Sequence, residues 1–498
     1  MKKILSIGLV LVILLSMMTG IFVLDAGAAA WDGTSVSASL AGEGTASNPY
    51  YIGSGADLKY LANAVNMGEK FTGKYFRQTT DIDLGSKEWV PIGYKDDFTF
   101  QGHYDGGNHT ISNLYITTTH YRTGLFGSVG ATSGTLSTEC GVANLTVKGT
   151  INVNASSSVA VVIGSVVASV NYNKYLGNTQ VYVKNVVSEV SLTASGLAKE
   201  TLVGGACGHV SGALLENVTN KGSITVSGGA ADGSNAGVAA QAENSTLRTC
   251  LNYGTIKVTT TQNGGQLRAG GIVALYYKQD INQWLTLENC VNTASVYVES
   301  TNTSPSIILV GGILGGVNYS AATSTWAATS GVWRNYQITI RNCANTGAIT
   351  GKIPTTNAVI SVGGILGSTY CGSGGQGNNG GGFTIIGCAS SGALSNTNSG
   401  RTGLIGCVYN DKKANYNILI KDTYCSEELC GTGVRYIKDW NEVVVNSISN
   451  SSSRAEARAQ AILSTATGDN DTLGIVLVSV LAIGVAFVVT RKFIIKSR

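Results

Sequence analysis

The stretch Arg341-Asn342-Cys343-Ala344-Asn345-Thr346-Gly347-Ala348-Ile349 decides the fold, because variants of it recur along most of the chain. We name it the Asn-Cys element. Its other copies lie 32 to 53 residues apart and are Asn144-Leu145, Asn185-Val186, Asn217-Val218, Thr249-Cys250, Asn289-Cys290, Gly387-Cys388 and Thr423-Tyr424. A constant element separated by segments of variable length indicates a solenoid of stacked coils.

A second element, Gly followed by two apolar residues and a small one, precedes the copies of the first. Its copies begin at Gly124, Gly205, Gly271, Gly312, Gly364 and Gly403, with degenerate copies over 161–164 and 237–240. The apolar stretches of each repeat are short, are split by Gly or Asn, and show no sustained helical periodicity. The coils must therefore consist of strands, and we predict an all-β fold, a right-handed parallel β-helix.

Stacking explains why particular residue types recur at fixed positions. Parallel strands stack about 4.8 Å apart, so equivalent residues of successive coils lie on top of one another. Asn tolerates the left-handed backbone of a sharp corner, and its amide can bond to the Asn of the next coil. We predict two Asn ladders, formed by Asn144, Asn185, Asn217, Asn289 and Asn342, and by Asn220, Asn252, Asn292 and Asn345.

Cysteine also recurs at one repeat position. Cys250, Cys290, Cys343 and Cys388 share that position, which predicts a buried stack of small apolar side chains. Stacked neighbours are also close enough for disulfides, so that alternative stays open. Cys425 and Cys430, in a polar loop, form a separate candidate disulfide.

The two ends of the chain indicate export and anchoring. Lys2 and Lys3 precede an apolar run and small residues, so we predict a signal peptide over residues 1–30. Leu473 to Thr490 contains no charged residue and is long enough to cross a bilayer as a helix. The basic tail 491–498 then stays in the cytoplasm by the positive-inside rule, which places the remainder outside the cell.

The order of Thr467-Gly468, apolar span and basic tail resembles a Gram-positive cell-wall sorting signal, which sortase cleaves between Thr and Gly. The chain departs from that pattern, since Thr465 stands where the signal has Pro. We therefore expect a single-pass protein of the bacterial cell surface. Transfer to the cell-wall peptidoglycan at Thr467 is the alternative.

Composition predicts one elongated domain between these ends. Sixty-five Gly, four Pro and only 12% charged residues are typical of a β-rich chain with many tight turns. The net charge of +4 resides in the two ends, so the nearly neutral remainder gives no electrostatic case for nucleic acid. The predicted segments are an N-terminal cap with the first coils (31–112), repeats (113–425), a C-terminal cap (426–448) and a stalk (449–472).

The predicted N-terminal cap contains a helix signal. Ser54 is followed three residues later by Asp57, which is typical of a helix start, and Gly68 is expected to end the helix. Apolar residues between them share one helical face. We expect this segment to cover the open end of the solenoid, because an exposed edge strand promotes aggregation.

Five segments ahead of the repeats resemble the opening region of bacterial surface proteins with GLUG-motif repeats: Asn48–Ile52, Phe71–Phe76, Asp81–Leu84, Trp89–Gly93 and Gly102–Ile111. Gly124-Leu125-Phe126-Gly127 and its copies resemble the motif itself. The resemblance covers about residues 45–425. It implies an extracellular β-helix found in adhesins and in some surface peptidases, in which the repeats are usually non-catalytic.

No group of residues has the spacing of a catalytic or metal site. The four His have no nucleophile or ligand at a recognisable distance along the sequence, and the chain contains no C-x-x-C pair. Acidic residues do not recur at one coil position. We therefore predict no catalytic residue, metal or cofactor.

Aromatic residues collect in insertions at one position of the coil, between the two repeated elements. Insertions at one point of successive coils emerge on one side of a solenoid, the usual place for its binding surface. Tyr and Trp offer flat contacts suited to sugars or proteins. We predict a ligand-binding face formed by Tyr276, Tyr277, Trp284, Tyr319, Trp326, Trp333, Tyr336, Tyr370 and Tyr409.

Taken together, these patterns favour a non-catalytic, adhesin-like surface protein that binds, or is displayed toward, extracellular glycans or proteins. The alternative is a polysaccharide lyase or glycoside hydrolase, because the same scaffold carries both kinds of activity. In such an enzyme, carboxylates from several coils would come together at one site.

Overall fold

The computed structural model describes residues 29–467, except for residues 96, 132–135, 155–159, 172–180, 197–199, 229–231, 262–264, 279–282, 302–306, 320–335, 355–358, 369–380, 398–401, 410–415, 426–436, 439–442 and 446–447. Strands dominate the described part of the chain, and they pair in parallel into two sheets. The predicted all-β parallel solenoid is confirmed.

The described strands are short and follow one another around the coils. In chain order they are β1 Tyr50–Ile52, β2 Tyr75–Gln78, β3 Ile82–Asp83, β4 His103–Ile116, β5 Arg122–Thr123, β6 Phe126–Gly130, β7 Cys140–Asn154, β8 Val161–Gly164, β9 Val167–Asn171, β10 Val181–Ser195, β11 Thr201–Gly204, β12 Cys207–Ser211, β13 Ala213–Asn220, β14 Ile224–Ser227, β15 Asp232–Ala236, β16 Ala239–Glu243, β17 Ser245–Arg248, β18 Leu251–Asn252, β19 Ile256–Thr260, β20 Gln266–Gly270, β21 Val273–Lys278, β22 Gln283–Glu288, β23 Val291–Asn292, β24 Val296–Ser300, β25 Ile307–Gly311, β26 Leu314–Tyr319, β27 Tyr336–Arg341, β28 Ala344–Asn345, β29 Ile349–Lys352, β30 Val359–Ser368, β31 Gly381–Ile386, β32 Ala389–Ser390, β33 Leu394–Asn396, β34 Thr402–Tyr409, β35 Tyr416–Lys421, β36 Thr423–Cys425, β37 Ile437–Lys438, β38 Val443–Val445 and β39 Ile448–Asn450.

One central coil shows how the chain winds. Strands β22, β23 and β24 lie in one sheet, named sheet A, and β25 and β26 lie in the other, named sheet B. The next coil adds β27, β28 and β29 beside the first three, and the single long strand β30 beside both strands of sheet B. Each repeated position therefore forms a column that runs through the coils.

The Gly of the Gly-apolar element and the second Asn of the Asn-Cys element meet inside the solenoid. A Cβ atom on Gly312 would lie 2.1 Å from the carbonyl oxygen of Gly364 and 2.5 Å from Cγ of Asn345. A Cβ on Gly271 would lie 2.3 Å from Cγ of Asn292. All three distances are too short for any residue larger than Gly. The two repeated elements are therefore one packing unit, in which Gly makes the space that Asn fills.

The second of these columns, named the inner Asn column, is fully buried. Its members are Asn220, Asn252, Asn292 and Asn345, each 0% exposed. Nδ2 of Asn220, Asn252 and Asn292 donates at 2.8 Å to Oδ1 of the Asn in the following coil, and Nδ2 of Asn345 donates to Oγ of Ser390 at 3.4 Å. Each of the four also donates to the carbonyl oxygen two residues further along its own coil. The predicted second ladder is confirmed.

The first predicted ladder forms only in its N-terminal half. The outer Asn column consists of Asn144, Asn185 and Asn217, whose Nδ2 atoms donate at 2.9 to 3.0 Å toward the preceding coil, ending at Asp105. Asn289 and Asn342 have the predicted left-handed backbone, with φ of 54° and 49°, but do not join this chain of amides. Thr249 stands at the corner before them and interrupts it.

The predicted cysteine stack is also confirmed. All four side chains are 0% exposed, and their thiols are free. Cys290 donates from Sγ to the carbonyl oxygens of Leu247 and Glu288 at 3.4 Å. Burial raises the pKa of Cys250 and Cys343 well above the ordinary value, so these thiols behave as core residues.

Helix α1, Gly55–Asn66, covers the N-terminal coils as the sequence predicts. Ser54 caps it, since its hydroxyl oxygen accepts from the backbone N–H of Asp57 at 3.2 Å. The buried face consists of Gly55, Leu58, Leu61, Ala62 and Val65, and Gly68 ends the helix region with φ of +109°.

The segment expected to be a stalk contains a second helix instead. Helix α2, Ser452–Thr467, starts just after β39 and packs along the outside of sheet A, against β36, β32, β28 and β23. Ala459, Ile462 and Ala466 form an apolar cluster with Leu251 and Val291 of the solenoid. An apolar stripe on both partners explains why this segment docks rather than extending away from the coils.

No helix among the described residues is long and apolar enough to span a membrane. The predicted span Leu473–Thr490 lies outside the described residues, as do Gly468 and the predicted signal peptide up to residue 28. These predictions stay predictions.

Candidate functional site

The strands on either side of the four long insertions meet at one corner of the solenoid. Each follows a strand of sheet B and precedes a strand of sheet A, and those flanking strands stack in register. Tyr277 of β21 pairs with Asn318 of β26. Gln283 of β22 pairs with Tyr336 of β27, which in turn pairs with Gly381 of β31. The described residues that precede and follow segments 279–282, 320–335, 369–380 and 410–415 therefore lie along one edge, which we name the insertion corner.

Two of the predicted aromatic residues lie at this corner. Trp284, at the start of β22, is 40% exposed, and its backbone N–H donates to Oδ1 of Asn244 at 3.2 Å. Tyr277, near the end of β21, is half-buried. They lie on opposite sides of the first insertion along the chain, and the ligand-binding role that the sequence predicts for them stays a prediction.

Tyr276 does not belong to this face. It is 0% exposed and occupies an inward column between Ala242 and Val317. Successive side chains of a strand point to opposite faces, so Tyr276 and Tyr277 could not both face outward. Burial raises the pKa of Tyr276, which supports a role in the core.

The remaining predicted aromatic residues cannot be placed in the site. Trp326, Trp333 and Tyr370 lie outside the described residues. Tyr319, Tyr336 and Tyr409 lie on strands β26, β27 and β34, but their side chains are outside the described part. Their membership of the ligand-binding face stays a prediction.

A paired His and Glu were missed at the sequence level. Nε2 of His209 lies 3.2 Å from Oε1 of Glu243, and Nε2 of Gln241 donates to Oε2 at 3.1 Å. Burial would raise the pKa of Glu243, but His209, Gln241 and Ser211 together hold it below its ordinary value. The carboxylate is therefore ionised although it is only 6% exposed.

The signal for this pair was the register of two strands. His209 of β12 stands beside Gln241 of β16, and Ser211 stands beside Glu243. His209 and Glu243 are 34 residues apart, so no motif of short spacing contains both. The arrangement holds a buried carboxylate in place, and it offers one partly exposed His as a candidate proton carrier.

An aromatic ladder near the N-terminal end was also missed. The rings of Tyr75 and His103 stack at 4.3 Å, and Nδ1 of His103 lies 2.9 Å from the Tyr182 hydroxyl. Gly141 stands in the column between His103 and Tyr182, and a Cβ there would lie 2.6 Å from the Tyr182 ring. The Tyr75 and His103 rings stack face to face, which leaves less ring surface for a ligand, so we assign this ladder a structural role.

Cysteine and metal chemistry add little to the site. Cys425 is buried at the end of β36 and is disulfide-bonded. Cys430 lies outside the described residues, so the predicted pair stays a prediction. Among the described side chains, no three His, Cys, Asp or Glu residues converge as metal ligands.

Comparison with known proteins gives partial likenesses. No protein-family model matches the chain. A stretch of 175 residues, 33% of the chain, is 34% identical to halomucin of Haloquadratum walsbyi. A stretch of 96 residues, 18% of the chain, is 38% identical to a protein of Evansella cellulosilytica named "Putative Gly-rich membrane protein". These matches span only 2% and 10% of the two relatives, respectively.

A solved structure is also similar. It is described as a "putative immunoglobulin A1 protease" from Bacteroides ovatus, and the likeness covers 85% of this chain and 89% of that one. The sequences are 17% identical, and the TM-score is 0.39.

Proposed function

We propose that this chain is an adhesin-like protein of the bacterial surface that binds extracellular glycans or proteins at the insertion corner and performs no chemistry there. The observation that carries the proposal is the stacking of the strands that flank four successive insertions. These flanking strands stack in register, and the half-buried Tyr277 and the exposed Trp284 lie on the first pair of them. Aromatic side chains of this kind commonly anchor sugar and protein ligands.

The finer features of the proposal come from the sequence. They are a right-handed β-helix with GLUG-type repeats, a signal peptide over 1–30, and a membrane anchor at Leu473–Thr490. Transfer to peptidoglycan between Thr467 and Gly468 is the alternative mode of attachment. Cell fractionation tests the anchor, since release of the full-length chain into the medium would contradict it. Sortase processing predicts a C-terminal peptide that ends at Thr467 in mass spectrometry.

Binding is tested with a glycan and matrix-protein array on the purified full chain. We expect saturable binding to at least one ligand. Replacing Trp284, Trp326 and Trp333 by Ala should weaken that binding at least about thirtyfold, because even one hot-spot aromatic contributes at least about 2 kcal/mol. Unchanged binding in a folded triple variant would reject the insertion corner as the binding surface.

A matched control is available in Tyr253. It is 40% exposed, as is Trp284, but it follows β18 rather than an insertion. Tyr253→Ala should leave ligand binding unchanged. Equal losses in the Tyr253 and Trp284 variants would indicate a general surface effect.

The second candidate function is that of a polysaccharide lyase or glycoside hydrolase, and the His209–Glu243 pair is the observation that favours it. An ionised, buried carboxylate can orient a His that acts as a base. A reducing-sugar assay and an unsaturated-product assay on acidic and neutral polysaccharides separate the two functions. Turnover that is lost in both His209→Gln and Glu243→Gln would establish the enzyme and overturn the binding proposal.

A further inference from the structure

Helix α2 does not lie flat on the solenoid along its whole length. Between the helix and the corner that follows β22 and β27 there is a cleft of about 220 Å³. Its lining consists of Asn289, Asn342, Arg458, Ala461, Ile462 and Thr465. Three of these residues belong to neither an aromatic insertion nor the core, and they carry the cleft's amide and guanidinium groups.

Asn289 and Asn342 of the cleft have side-chain N–H donors that the equivalent residues of the outer Asn column use in hydrogen bonds. In the outer Asn column, each Nδ2 donates to the preceding corner. Asn289 and Asn342 have the same left-handed backbone, yet within the described residues neither Nδ2 has an acceptor in the protein. Oδ1 of Asn342 is occupied, because Nη2 of Arg458 donates to it at 3.1 Å.

The guanidinium of Arg458 is held in place and lacks a counter-charge. Its Nε donates to the carbonyl oxygen of Gly387 at 3.2 Å, so one edge of the group is fixed. Arg77 and Arg248, on the flank of the solenoid, both pair with carboxylates. Within the described part of the chain, Arg458 has no carboxylate within 4 Å. Of its five N–H donors, those at the Nη1 end remain for a ligand.

We propose that this cleft binds the carboxylate of an acidic sugar. The N–H groups at the free end of the guanidinium can donate two parallel hydrogen bonds to a carboxylate, which is the geometry that Arg favours. The two Asn amides lie beside it and can bond to ring hydroxyls, which both donate and accept. Ala461, which is partly exposed, supplies an apolar contact for the sugar ring. The site is distinct from the insertion corner and does not depend on the function proposed for it.

The test is calorimetric titration of the full-length chain with sodium glucuronate, and with glucose as the uncharged match. We expect saturable glucuronate binding that weakens as salt rises, and glucose binding at least about tenfold weaker. Arg458→Gln should weaken glucuronate binding about tenfold or more, since a charge-assisted hydrogen-bond pair is lost. Arg454→Gln, an exposed change one helical turn earlier, should have no effect.

A second variant separates ligand binding from helix docking. Asn289 makes no hydrogen bond to α2, so Asn289→Ala should weaken glucuronate binding severalfold while hydrogen exchange of α2 stays as in the parent. The proposal is overturned if glucuronate does not bind, if glucose binds equally well, or if both cleft variants bind as the parent does. It is also overturned if acetate or a Glu-containing peptide binds as tightly as glucuronate, because the site would then recognise any carboxylate.

Discussion

The two Asn columns use the same side chain in the same solenoid, yet their amides point in opposite directions. In the inner column, the Nδ2 atoms point to the following coil, and in the outer column they point to the preceding one. The inner direction is fixed because a backbone carbonyl of the same coil, two residues on, must receive one amide hydrogen. The chain of hydrogen bonds in the outer column ends at Asp105, whose carboxylate accepts from Nδ2 of Asn144.

Asn therefore recurs in this solenoid for two separate reasons. The inner Asn fills the space left by Gly and bonds to buried backbone groups. It stabilises the fold through hydrogen bonds that water cannot replace. The outer Asn adopts a left-handed backbone, and water competes for its amide. Substitutions in the inner column should therefore lower the free energy of unfolding more than substitutions in the outer column.

The largest effect is expected in the middle of the inner column. Asn292→Leu removes the acceptor for Asn252, the donor for Asn345 and the donor for the carbonyl oxygen of Ala294. We expect a loss of about 3 to 5 kcal/mol in the free energy of unfolding, because several buried polar groups lose partners. Urea titration followed by circular dichroism measures it. A loss below about 1 kcal/mol would mean that water enters the column.

The same contrast between buried and exposed groups extends to two carboxylates. Hydrogen bonds from Lys148 and Lys221 lower the pKa of the half-buried Glu189, and the pKa of the buried Glu243 is lowered by its partners against the effect of burial. A lowered folded-state pKa gives stability that is present above about 4.5 and is lost as the pH falls through the folded value.

Glu243→Gln should therefore cost about 2 kcal/mol at neutral pH and flatten the acid limb of the stability profile. Glu189→Gln should cost less, because solvent screens its ion pairs. Urea titrations between pH 3 and 7 compare the two variants. If Glu189→Gln flattens the acid limb more than Glu243→Gln does, the buried carboxylate does not contribute the larger share of the pH-dependent stability.

A smaller effect is expected in the outer column. Asn185→Ala removes two amide bonds and places Ala at φ of 53°, with an expected cost of about 1 to 2 kcal/mol. Asn185→Gly removes the same bonds but tolerates the backbone. Thermal unfolding of the pair should show the Gly variant as the more stable, and equal midpoints would assign the whole cost to the amides.

The smallest predicted effect is a gain. The inner column begins at Asn220, whose Oδ1 accepts no hydrogen bond within the described residues. Ser188 precedes it in register, and Ser165 occupies the position where the next coil has Gly205. The double change Ser165→Gly with Ser188→Asn should extend the column by one amide and stabilise the protein by about 1 kcal/mol.

The single variant Ser188→Asn is the control for this extension. Without the Gly, the Ser165 side chain, whose Oγ lies 2.7 Å from that of Ser188, would clash with the new amide. We expect Ser188→Asn alone to lower the midpoint of thermal unfolding. A double variant no more stable than this single one would disprove the coupling of Gly and Asn.

The sequence alone was sufficient for the columns but not for their contacts. The left-handed corners at Asn289 and Asn342, the buried Asn292 and the cysteine stack follow from residue types repeated at fixed positions. The meeting of Gly312 with Asn345 depends on the distance between two sheets, which no local pattern contains. The same is true of His209 and Glu243, because only strand register brings them together.

Two errors have identifiable physical causes. Tyr276 was grouped with its insertion, although its in-register neighbours Ala242 and Val317 mark an inward position. The second error is the stalk predicted over residues 449–472. Within it, Ala455, Ala459, Ile462 and Ala466 follow helical spacing and are buried, and that spacing was the missed signal.

Helix α2 also sets how the molecule responds to pulling. It starts beside β39 and runs back toward β23, so at about 1.5 Å per residue its last turn lies several coils behind its first. Tension applied through the chain after Thr467 therefore meets the end of the helix that lies farthest from β39. We expect such a load, when it is directed away from the solenoid surface, to detach the helix from its C-terminal turn inward. Detachment of that turn would uncover Val291 and Leu251, which pack against the helix, before the strands of sheet A lose their pairing.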